Sequence, residues 1–284
     1  MNKKVKIARL SVFSNSFLIV IKVIVGILSG SVSIISEAIH SCMDLIASVV
    51  AFFSVKISDT PADEQHPYGH GKFENVSGVI EAILIFIAAV WIIVEAAKKI
   101  LAPQPVESLS LGFIVMFVSA AVNFIVSQQL YKVAKETDSI ALEADALHLK
   151  TDVYTSAGVG LGLLLIWLTG LYYLDPVVAI LVALFILREA YFLLKNAYFP
   201  LLDTAMPDNE LQIIYNSLKN KSLKFHDLKT RKAGHYRFAD LHLELPENLS
   251  LKEVHDLCDE VEDDLKQKIK NLEITIHAEP VESK

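Results

Sequence analysis

Two copies of one polar signature, a histidine followed four residues later by an aspartate, lie inside long apolar stretches of the chain. They are His40 with Asp44 and His148 with Asp152. Residues four apart share one face of a helix, so each copy presents an imidazole and a carboxylate in the same direction. Ionisable groups at membrane depth cost roughly 2.5–3.5 kcal/mol each on insertion scales, and they therefore usually bind something or face a cavity. Two such faces together predict a four-ligand cation site.

A second group of candidate ligands lies in the long polar loop between two apolar stretches. Asp63, His66 and His70 bring one carboxylate and two imidazoles within eight residues. This spacing favours a metal site, because imidazole and carboxylate are common zinc ligands. The rival interpretation is a plain turn built on Pro67 and Gly69, with solvated histidines.

A third group of histidines lies in the polar C-terminal segment. Its members are His226, His242, His255, His277 and the carboxylate Glu279. His277 and Glu279 are two residues apart and share one face of a strand. Eight of the nine histidines thus occur in groups with carboxylates, and only His235 is left over. The alternative for this third group is exposed histidines on an acidic surface.

The composition indicates the class of protein to which these candidate ligands belong. The chain has 284 residues, of which 53% are hydrophobic, and its mean hydropathy is +0.43. An ordinary soluble domain is less apolar, so we expect an integral membrane protein. The two cysteines, Cys42 and Cys258, form neither a disulfide framework nor a Cys-x-x-Cys metal motif. Sulfur is therefore not the expected ligand.

The first 202 residues divide into apolar stretches long enough to cross a bilayer. Six spans are predicted, at about 10–29, 32–55, 78–100, 109–131, 141–169 and 176–198. With the N-terminus in the cytoplasm, the internal flanks carry nine basic residues and the external flanks carry only Lys98 and Lys99. The positive-inside rule then places both termini in the cytoplasm.

From residue 203 to residue 284 the chain is polar, and a second, soluble domain is predicted. The residue pattern gives the order helix, strand, strand, helix, strand, a small α+β sandwich (αββαβ). Ser250 and Glu253 have the spacing of a capping box at the start of the second helix. This segment carries 17 acidic and 12 basic residues, or −5 of the chain's net charge of −7. Such a surface attracts cations rather than nucleic acid.

Six short motifs, spread over nearly the whole chain, carry a resemblance to a known family. The chain resembles the cation diffusion facilitators, and among them the bacterial zinc-efflux members. The motifs are residues 36–44 (SEAIHSCMD), 66–72 (HPYGHGK), 145–152 (DALHLKTD), 175–177 (DPV), 226–231 (HDLKTR) and 277–280 (HAEP).

The resemblance implies an architecture and an activity. It implies six transmembrane helices, a metallochaperone-like (ferredoxin-like) cytoplasmic domain, a homodimer in the inner (cytoplasmic) membrane, and exchange of a divalent metal for protons. Zn²⁺ is the expected metal, both as transported ion and as structural or regulatory ion. The implied transport site is His40, Asp44, His148 and Asp152, the loop site is Asp63, His66 and His70, and the cytoplasmic site is His226, His242, His255, His277 and Glu279.

Two positions depart from the pattern of the similar bacterial members. Those members often have aspartate where this chain has His40 and Glu279. The first departure leaves two imidazoles and two carboxylates at the transport site. Zinc accepts four such ligands, whereas Mg²⁺ and Ca²⁺ prefer oxygen. The second departure keeps a carboxylate with a longer reach.

Other functions remain open at the level of sequence. An intramembrane metalloprotease is disfavoured because the chain contains no His-Glu-x-x-His motif, so we expect a secondary transporter rather than an enzyme. A metal sensor or scaffold that binds without transporting is a second alternative. Within transport, iron, cobalt, cadmium and manganese compete with zinc, because site affinity alone does not decide the physiological ion.

Overall fold

The computed structural model describes residues 2–29, 32–101, 111–171 and 173–281. The chain divides into two compact units, Met1–Tyr198 and Phe199–Lys284. The described part of the first unit is helical, and the second unit combines helices with a sheet. This agrees with the predicted change from a membrane-type domain to a small α+β domain.

Six long helices form the described part of the first unit. They are α1 (Lys3–Ser29), α2 (Val32–Ser58), α3 (Lys72–Leu101), α4 (Leu111–Thr137), α5 (Ile140–Thr169) and α6 (Leu174–Tyr198). Each overlaps one predicted span, although the start of the span at 109–131 lies outside the described residues. Several helices extend beyond the apolar stretch, because hydropathy reports bilayer depth rather than where the backbone stops being helical. Gly170, with φ +71°, follows the end of α5 in the left-handed conformation that suits glycine.

Three segments within the described residues are long and apolar enough to cross a membrane. They are Lys3–Leu28, Lys72–Leu101 and Pro176–Leu202. Helix α5 is less apolar in its first half, where Glu143, Asp145, Lys150 and Asp152 occur. These charged residues, which include a candidate metal ligand, therefore lower the hydropathy by which a membrane span is recognised.

Helix α5 is the centre of the helical unit, since it contacts each of the other five long helices. Its residues contribute to two buried apolar clusters, one shared with α1, α2 and α4 and one shared with α3 and α6. Glycine allows close packing against α6 at two places: a Cβ at Gly78 would lie 3.0 Å from Ala197 Cβ, and one at Gly158 would lie 3.0 Å from Val182 Cγ2. Small residues of this kind let membrane helices approach closely.

A buried ion pair ties the first helix to the third. Lys4 Nζ lies 3.0 Å from Glu74 Oε1, and the side chains of both residues are almost completely buried. Glu74 also accepts hydrogen bonds from the hydroxyls of Ser58 and Ser139, and Lys4 pairs in addition with Asp59. One carboxylate thus joins four segments of the unit, which is how a buried charge is normally satisfied.

The second unit begins with a short 3-10 helix, Phe199–Leu202, followed by the predicted order of elements. These are α7 (Asp208–Asn220), β1 (Lys224–Ala233), β2 (Tyr236–Leu245), α8 (Leu251–Lys268) and β3 (Leu272–Pro280). The sheet has the order β1-β2-β3, with β1 and β2 antiparallel and β2 and β3 parallel. The predicted α+β fold of this unit is confirmed.

The two faces of this sheet differ in character. Leu241, Leu243 and Leu245 of β2 are buried in a core that also contains residues of α7 and α8. The alternating residues of β2 point to the opposite face, because side chains alternate along a strand. The capping box of α8 is confirmed: Ser250 Oγ accepts from the Glu253 amide at 3.3 Å, and the Glu253 carboxylate accepts from the Ser250 amide at 2.7 Å.

Candidate metal centres

One contact joins the two His-x-x-x-Asp signatures. His148 Nε2 on α5 lies 3.2 Å from Asp44 Oδ1 on α2. Both side chains are largely buried, with 13% and 8% of their surfaces exposed. His148 Nδ1 is buried and has no hydrogen-bond partner within the described part of the chain. This pair offers an imidazole and a carboxylate to one cation.

The other two members of the predicted four-ligand site differ in how they are placed. Asp152, one turn beyond His148 on α5, accepts a hydrogen bond of 3.1 Å from Asn123 Nδ2 on α4. His40 lies in α2, one turn before Asp44, but its side chain lies outside what the structure describes. The four-ligand arrangement therefore stays a prediction that rests on helical spacing for His40.

Asn123 is a residue that the sequence analysis missed. It is buried in α4, and its Oδ1 has no hydrogen-bond partner among the described residues. By holding Oδ2 of Asp152, its amide fixes the rotamer of a candidate ligand, as outer hydrogen-bond partners do in metal sites. The only signal in the sequence was a polar residue inside an otherwise apolar run.

The loop group comes together as predicted from its spacing. One ligand atom from each of Asp63, His66 and His70 lies within 4.8 Å of the others. Asp63 Oδ2 is 3.3 Å from His70 Nε2, and Asp63 Oδ1 is 3.3 Å from His66 Nδ1. Gly69, with φ +77°, makes the turn that returns His70 toward Asp63. Whether an ion binds here stays a prediction.

Backbone amides of the loop stabilise the ionised form of the Asp63 side chain. Asp63 Oδ1 accepts from the amides of His66 at 2.7 Å and Gln65 at 2.9 Å. The His66 amide is the main cause that lowers the pKa of Asp63 below its usual range, although the side chain is exposed. The carboxylate is thus ionised over the whole physiological pH range, and Oδ2 remains directed at His70.

Strand register lines up three histidines across the second unit's sheet. His226 of β1 is opposite His242 of β2, and His242 is opposite His277 of β3. The ring centroids are 5.1 Å apart for the first pair and 4.8 Å apart for the second. The three imidazoles lie on the face of the sheet opposite Leu241 and Leu243.

Glu279 is the carboxylate that the three imidazoles share. Its Oε1 lies 2.9 Å from His242 Nδ1 and 3.4 Å from His277 Nε2, and its Oε2 lies 3.4 Å from His226 Nε2. Ligand atoms of His226, His242 and Glu279 fall within 4.8 Å of one another. We call the four residues His226, His242, His277 and Glu279 the sheet cluster.

His255 is not brought to the sheet cluster within this chain. It is exposed on α8 and lies 3.4 Å from Asp259 Oδ2. Helix α8 packs on the apolar face of the sheet, through Val261 and Leu265, whereas the cluster occupies the other face. Its predicted membership of the cytoplasmic site stays an expectation from the resemblance.

Asp227 is a second residue that the sequence analysis missed. A register irregularity between His226 and Lys229 gives Asp227 a left-handed backbone, with φ +51°. Its Oδ2 lies 3.9 Å from His242 Nε2 and 2.8 Å from Lys229 Nζ. The hydrogen bond from Lys229 lowers the pKa of Asp227. A bulge of this kind re-aims a side chain, and only the paired strands reveal it.

Comparison with known proteins agrees with this architecture. Residues 8–202 match the family described as cation efflux transmembrane domain, and residues 206–281 match cation efflux protein, cytoplasmic domain. The chain therefore belongs to the cation diffusion facilitator family, whose members are membrane-embedded cation efflux transporters. The family expected from the six motifs is confirmed.

Individual relatives match over most of their length. The cation-efflux pump FieF of Shewanella oneidensis is 34% identical over 98% of this chain and 95% of the relative. The FieF of Yersinia enterocolitica is 34% identical over 93% and 89%, and an uncharacterized transporter of Synechocystis is 34% identical over 90% and 83%. A solved structure of CzrB in its Zn form is 38% identical, covers 28% of this chain and 92% of that chain, and has a TM-score of 0.25, too low to bear on this fold.

Proposed function

We propose that this chain exports zinc from the cytoplasm in exchange for protons. The observation that carries the proposal is the contact between His148 Nε2 and Asp44 Oδ1, 3.2 Å long. It joins the two signatures across two different helices in the interior of a membrane-type bundle. A site shared between helices can open to one side and then to the other when the helices repack.

The donor set favours zinc among the divalent ions. His40, Asp44, His148 and Asp152 supply two nitrogens and two oxygens, and zinc accepts four tetrahedral ligands of these types. With neutral imidazoles the four residues carry a charge of −2, which a divalent ion cancels in a low-dielectric interior. His40 distinguishes this set from one with three carboxylates, which would suit harder cations better.

Protons are the natural replacement for the metal when it leaves. Emptying the site would leave two carboxylates in a membrane interior, a costly arrangement. Histidine ordinarily titrates between about pH 5 and 8, so protons from a more acidic exterior can neutralise the site. Entry of protons from outside then accompanies release of zinc to the outside.

The proposed topology has six spans, α1 to α6, in the inner membrane with both termini in the cytoplasm. The basic residues support it, since the flanks assigned to the cytoplasm are rich in lysine and the two external lysines are Lys98 and Lys99. We divide the chain into a transmembrane domain at 1–202 and a cytoplasmic domain at 203–284.

We assign supporting roles to the two other groups of candidate ligands, the loop group and the sheet cluster. Asp63, His66 and His70 form a second zinc site in the loop after α2. The sheet cluster, with His255 on α8, forms a regulatory zinc site that helps hold two copies of the cytoplasmic domain together as a homodimer. Proximity of the ligand atoms supports the loop site and, for His226, His242 and Glu279, the sheet cluster. The family resemblance supports the dimer.

Reconstituted flux tests the choice of metal. Zn²⁺, Fe²⁺, Cd²⁺ and Mn²⁺ are offered in turn to proteoliposomes that contain the full chain, beside a His40→Asp variant. Zinc transport by the wild type supports the proposal, and its absence contradicts it. Because the variant replaces a nitrogen ligand by an oxygen ligand, we expect its transport of Mn²⁺ relative to Zn²⁺ to rise.

Replacement of Asp44 by alanine distinguishes an exporter from a non-transporting metal sensor. An exporter loses flux when Asp44 becomes alanine, because half of the observed His148 contact is removed. A sensor that acts through its soluble domain would retain its zinc response, since the sheet cluster is intact in this variant. Glu95→Gln, at an exposed carboxylate of α3, is the matched control.

A further inference from the structure

Helix α6 carries two charged residues close to the middle of a membrane span. The segment Pro176–Leu202 is long and apolar enough to cross a bilayer, and Arg188 lies 12 residues after its start and 14 residues before its end. Glu189 follows directly. At about 1.5 Å per residue, both charges lie roughly 20 Å from either end of the segment. This places them near the centre of a hydrocarbon core that is about 30 Å thick.

A ring contact between α5 and α6 gives a second measure of this depth. Tyr154 on α5 and Phe185 on α6 have ring centroids 5.4 Å apart. The two helices are joined by a short connection and run antiparallel, so residues just after Phe185 are level with residues just before Tyr154. Arg188 is therefore about level with Asp152, a candidate ligand of the proposed transport site.

Both charged side chains reach the outside of the helical unit. The opposite face of α6 is buried against α3 and α5 through Ile186, Ala190 and Leu193. The side chain of Arg188 is 64% exposed and that of Glu189 is 33% exposed. Arg188 belongs to an exposed stripe at helical spacing, whose other members are Leu181, Leu184, Tyr191 and Tyr198. In a membrane, such a stripe faces lipid or another protein.

One hydrogen bond and one ring contact hold Arg188 within α6. Its Nη1 donates to Glu189 Oε1 at 2.8 Å, and its guanidinium lies 5.1 Å from the centroid of the Phe192 ring. A guanidinium has five N–H donors, so one hydrogen bond leaves most of them to the surroundings. Hydrocarbon offers no acceptor, and ionised groups that face lipid at this depth are accordingly rare. The pair therefore calls for a polar partner from outside the unit.

A second copy of this chain matches the charges of this pair. Arg188 and Glu189 carry one positive and one negative charge at the same depth. A two-fold axis along the membrane normal brings equal depths together, and it sets Arg188 of each protomer beside Glu189 of the partner subunit. Leu184 and Tyr191 lie one turn to either side and supply apolar surface around the charges. The sheet cluster belongs to the second unit, so the dimer contact proposed there does not account for these residues of α6.

We propose that α6 forms a membrane-embedded interface between two copies of this chain, in which Arg188 of each protomer pairs with Glu189 of the partner subunit. Each carboxylate then accepts from two guanidinium groups, one in its own chain and one in the other. Four charges are neutralised within one contact by charge-assisted hydrogen bonds. The interface lies one helix away from the proposed transport site, because α6 packs directly on α5.

Cysteine cross-linking in isolated membranes tests this interface. The full-length chain carries Leu184→Cys, one turn before Arg188, in a background in which Cys42→Ser and Cys258→Ser remove both native cysteines. Each chain then has a single cysteine, so a bismaleimide can join only two copies. We expect Leu184→Cys to give a cross-linked dimer. Ile125→Cys, at an exposed position in the middle of α4, is the control and should give none.

Charge reversal in the same background tests the pairing. Arg188→Glu or Glu189→Arg alone sets like charges together across the interface, and we expect cross-linking through Leu184→Cys to fall by about tenfold. The double variant Arg188→Glu, Glu189→Arg restores opposite charges and should recover the cross-linking. If a reversal prevents insertion into the membrane, Arg188→Met removes the same pairing with an apolar side chain and carries the same expectation.

Two results would overturn the inference. One is cross-linking of Leu184→Cys that is no greater than that of the Ile125→Cys control, which is the result expected of a stripe that faces lipid. The other is cross-linking that the single charge variants leave unchanged, or that an inserted double variant does not recover. Because cross-linking measures contact rather than flux, the interface can fail this test while zinc export holds, and export can fail while the interface is found.

Discussion

His148 Nε2 on α5 and Asp44 Oδ1 on α2 are 3.2 Å apart. The two residues are 104 positions apart in the sequence, and each belongs to a different copy of the same signature. A cation bound by this pair is held between two helices rather than on one. Any movement of α2 against α5 would therefore change the proposed transport site directly, which is what alternating access requires.

Removal of Asn123 tests whether the hydrogen bond to Asp152 positions a ligand. We expect Asn123→Ala to weaken zinc binding at the transport site by about 10–100-fold, because loss of an outer hydrogen-bond partner typically has this effect in metal sites. Zinc affinity is measured by competition with a chromophoric chelator. Gln128→Ala, at an exposed position of the same helix, is the control, and equal affinities for the two variants would contradict the positioning role.

The sheet cluster predicts zinc-dependent stability of the second unit. A ligand at 100 times its Kd stabilises a folded state by about 2.7 kcal/mol. We expect a stabilisation of this size in the wild type and its loss in Glu279→Gln, because Glu279 contacts all three imidazoles. Thermal unfolding of the unit with and without zinc measures it. Asp256→Asn on exposed α8 should behave as the wild type, and a full zinc response in Glu279→Gln would argue against the cluster as a zinc site.

The loop site predicts a particular pH dependence. The pKa of Asp63 is lowered, chiefly by the His66 amide, so its carboxylate stays ionised until the pH falls below the ordinary range for aspartate. Its negative charge is therefore available to a cation at every pH between about 7.5 and 5.5. We expect Asp63→Asn to lower the zinc affinity of the loop site by a similar factor at each pH in this range.

Zinc titrations at several pH values check the loop prediction, in a background where Asp44→Ala and His242→Ala remove the other candidate sites. Glu64→Gln, at the neighbouring exposed carboxylate, is the matched control. A loss of affinity that is large at the upper end of this pH range and absent at the lower end would show that Asp63 itself becomes protonated there, and would contradict the prediction.

The buried pair of Lys4 and Glu74 predicts non-additive effects on stability. Lys4→Met leaves the Glu74 carboxylate buried with two hydroxyl partners, and breaking a buried pair costs about 3–5 kcal/mol. The double variant Lys4→Met, Glu74→Gln should recover part of this loss. Lys3→Met breaks the exposed contact with Glu136 and should cost at most about 1 kcal/mol. Detergent-solubilised unfolding measures these variants beside the single variant Glu74→Gln, and additive losses of Lys4→Met and Glu74→Gln in the double variant would contradict the pairing.

The sequence predicted some of these relationships and could not have predicted others. The length of the apolar stretches located the helices of the first unit, and the alternation of apolar and polar residues gave the order of elements in the second unit, because burial imposes a pattern on each segment. The placement of His277 and Glu279 on one face of β3 follows from their spacing within one strand, and the expected placement of His40 and Asp44 on one helix face follows from theirs. Local patterns of this kind need no knowledge of which segments pack together.

Relationships between elements depend on packing and register. The alignment of His226, His242 and His277 in one row follows from strand pairing, and the bulge that re-aims Asp227 appears only in the paired strands. The hydrogen bond from Asn123 to Asp152 depends on how α4 and α5 meet. A polar residue in an apolar run signals such a partnership without identifying the partner.

Proton-coupled zinc flux tests the central claim most directly. Proteoliposomes with the full chain are loaded with a zinc-sensitive dye, and zinc uptake is followed with an imposed pH gradient and after an ionophore has collapsed it. We expect uptake driven by the gradient in the wild type and its loss in Asp44→Ala, with Glu95→Gln unaffected. Zinc uptake that is the same with and without the gradient would contradict exchange for protons.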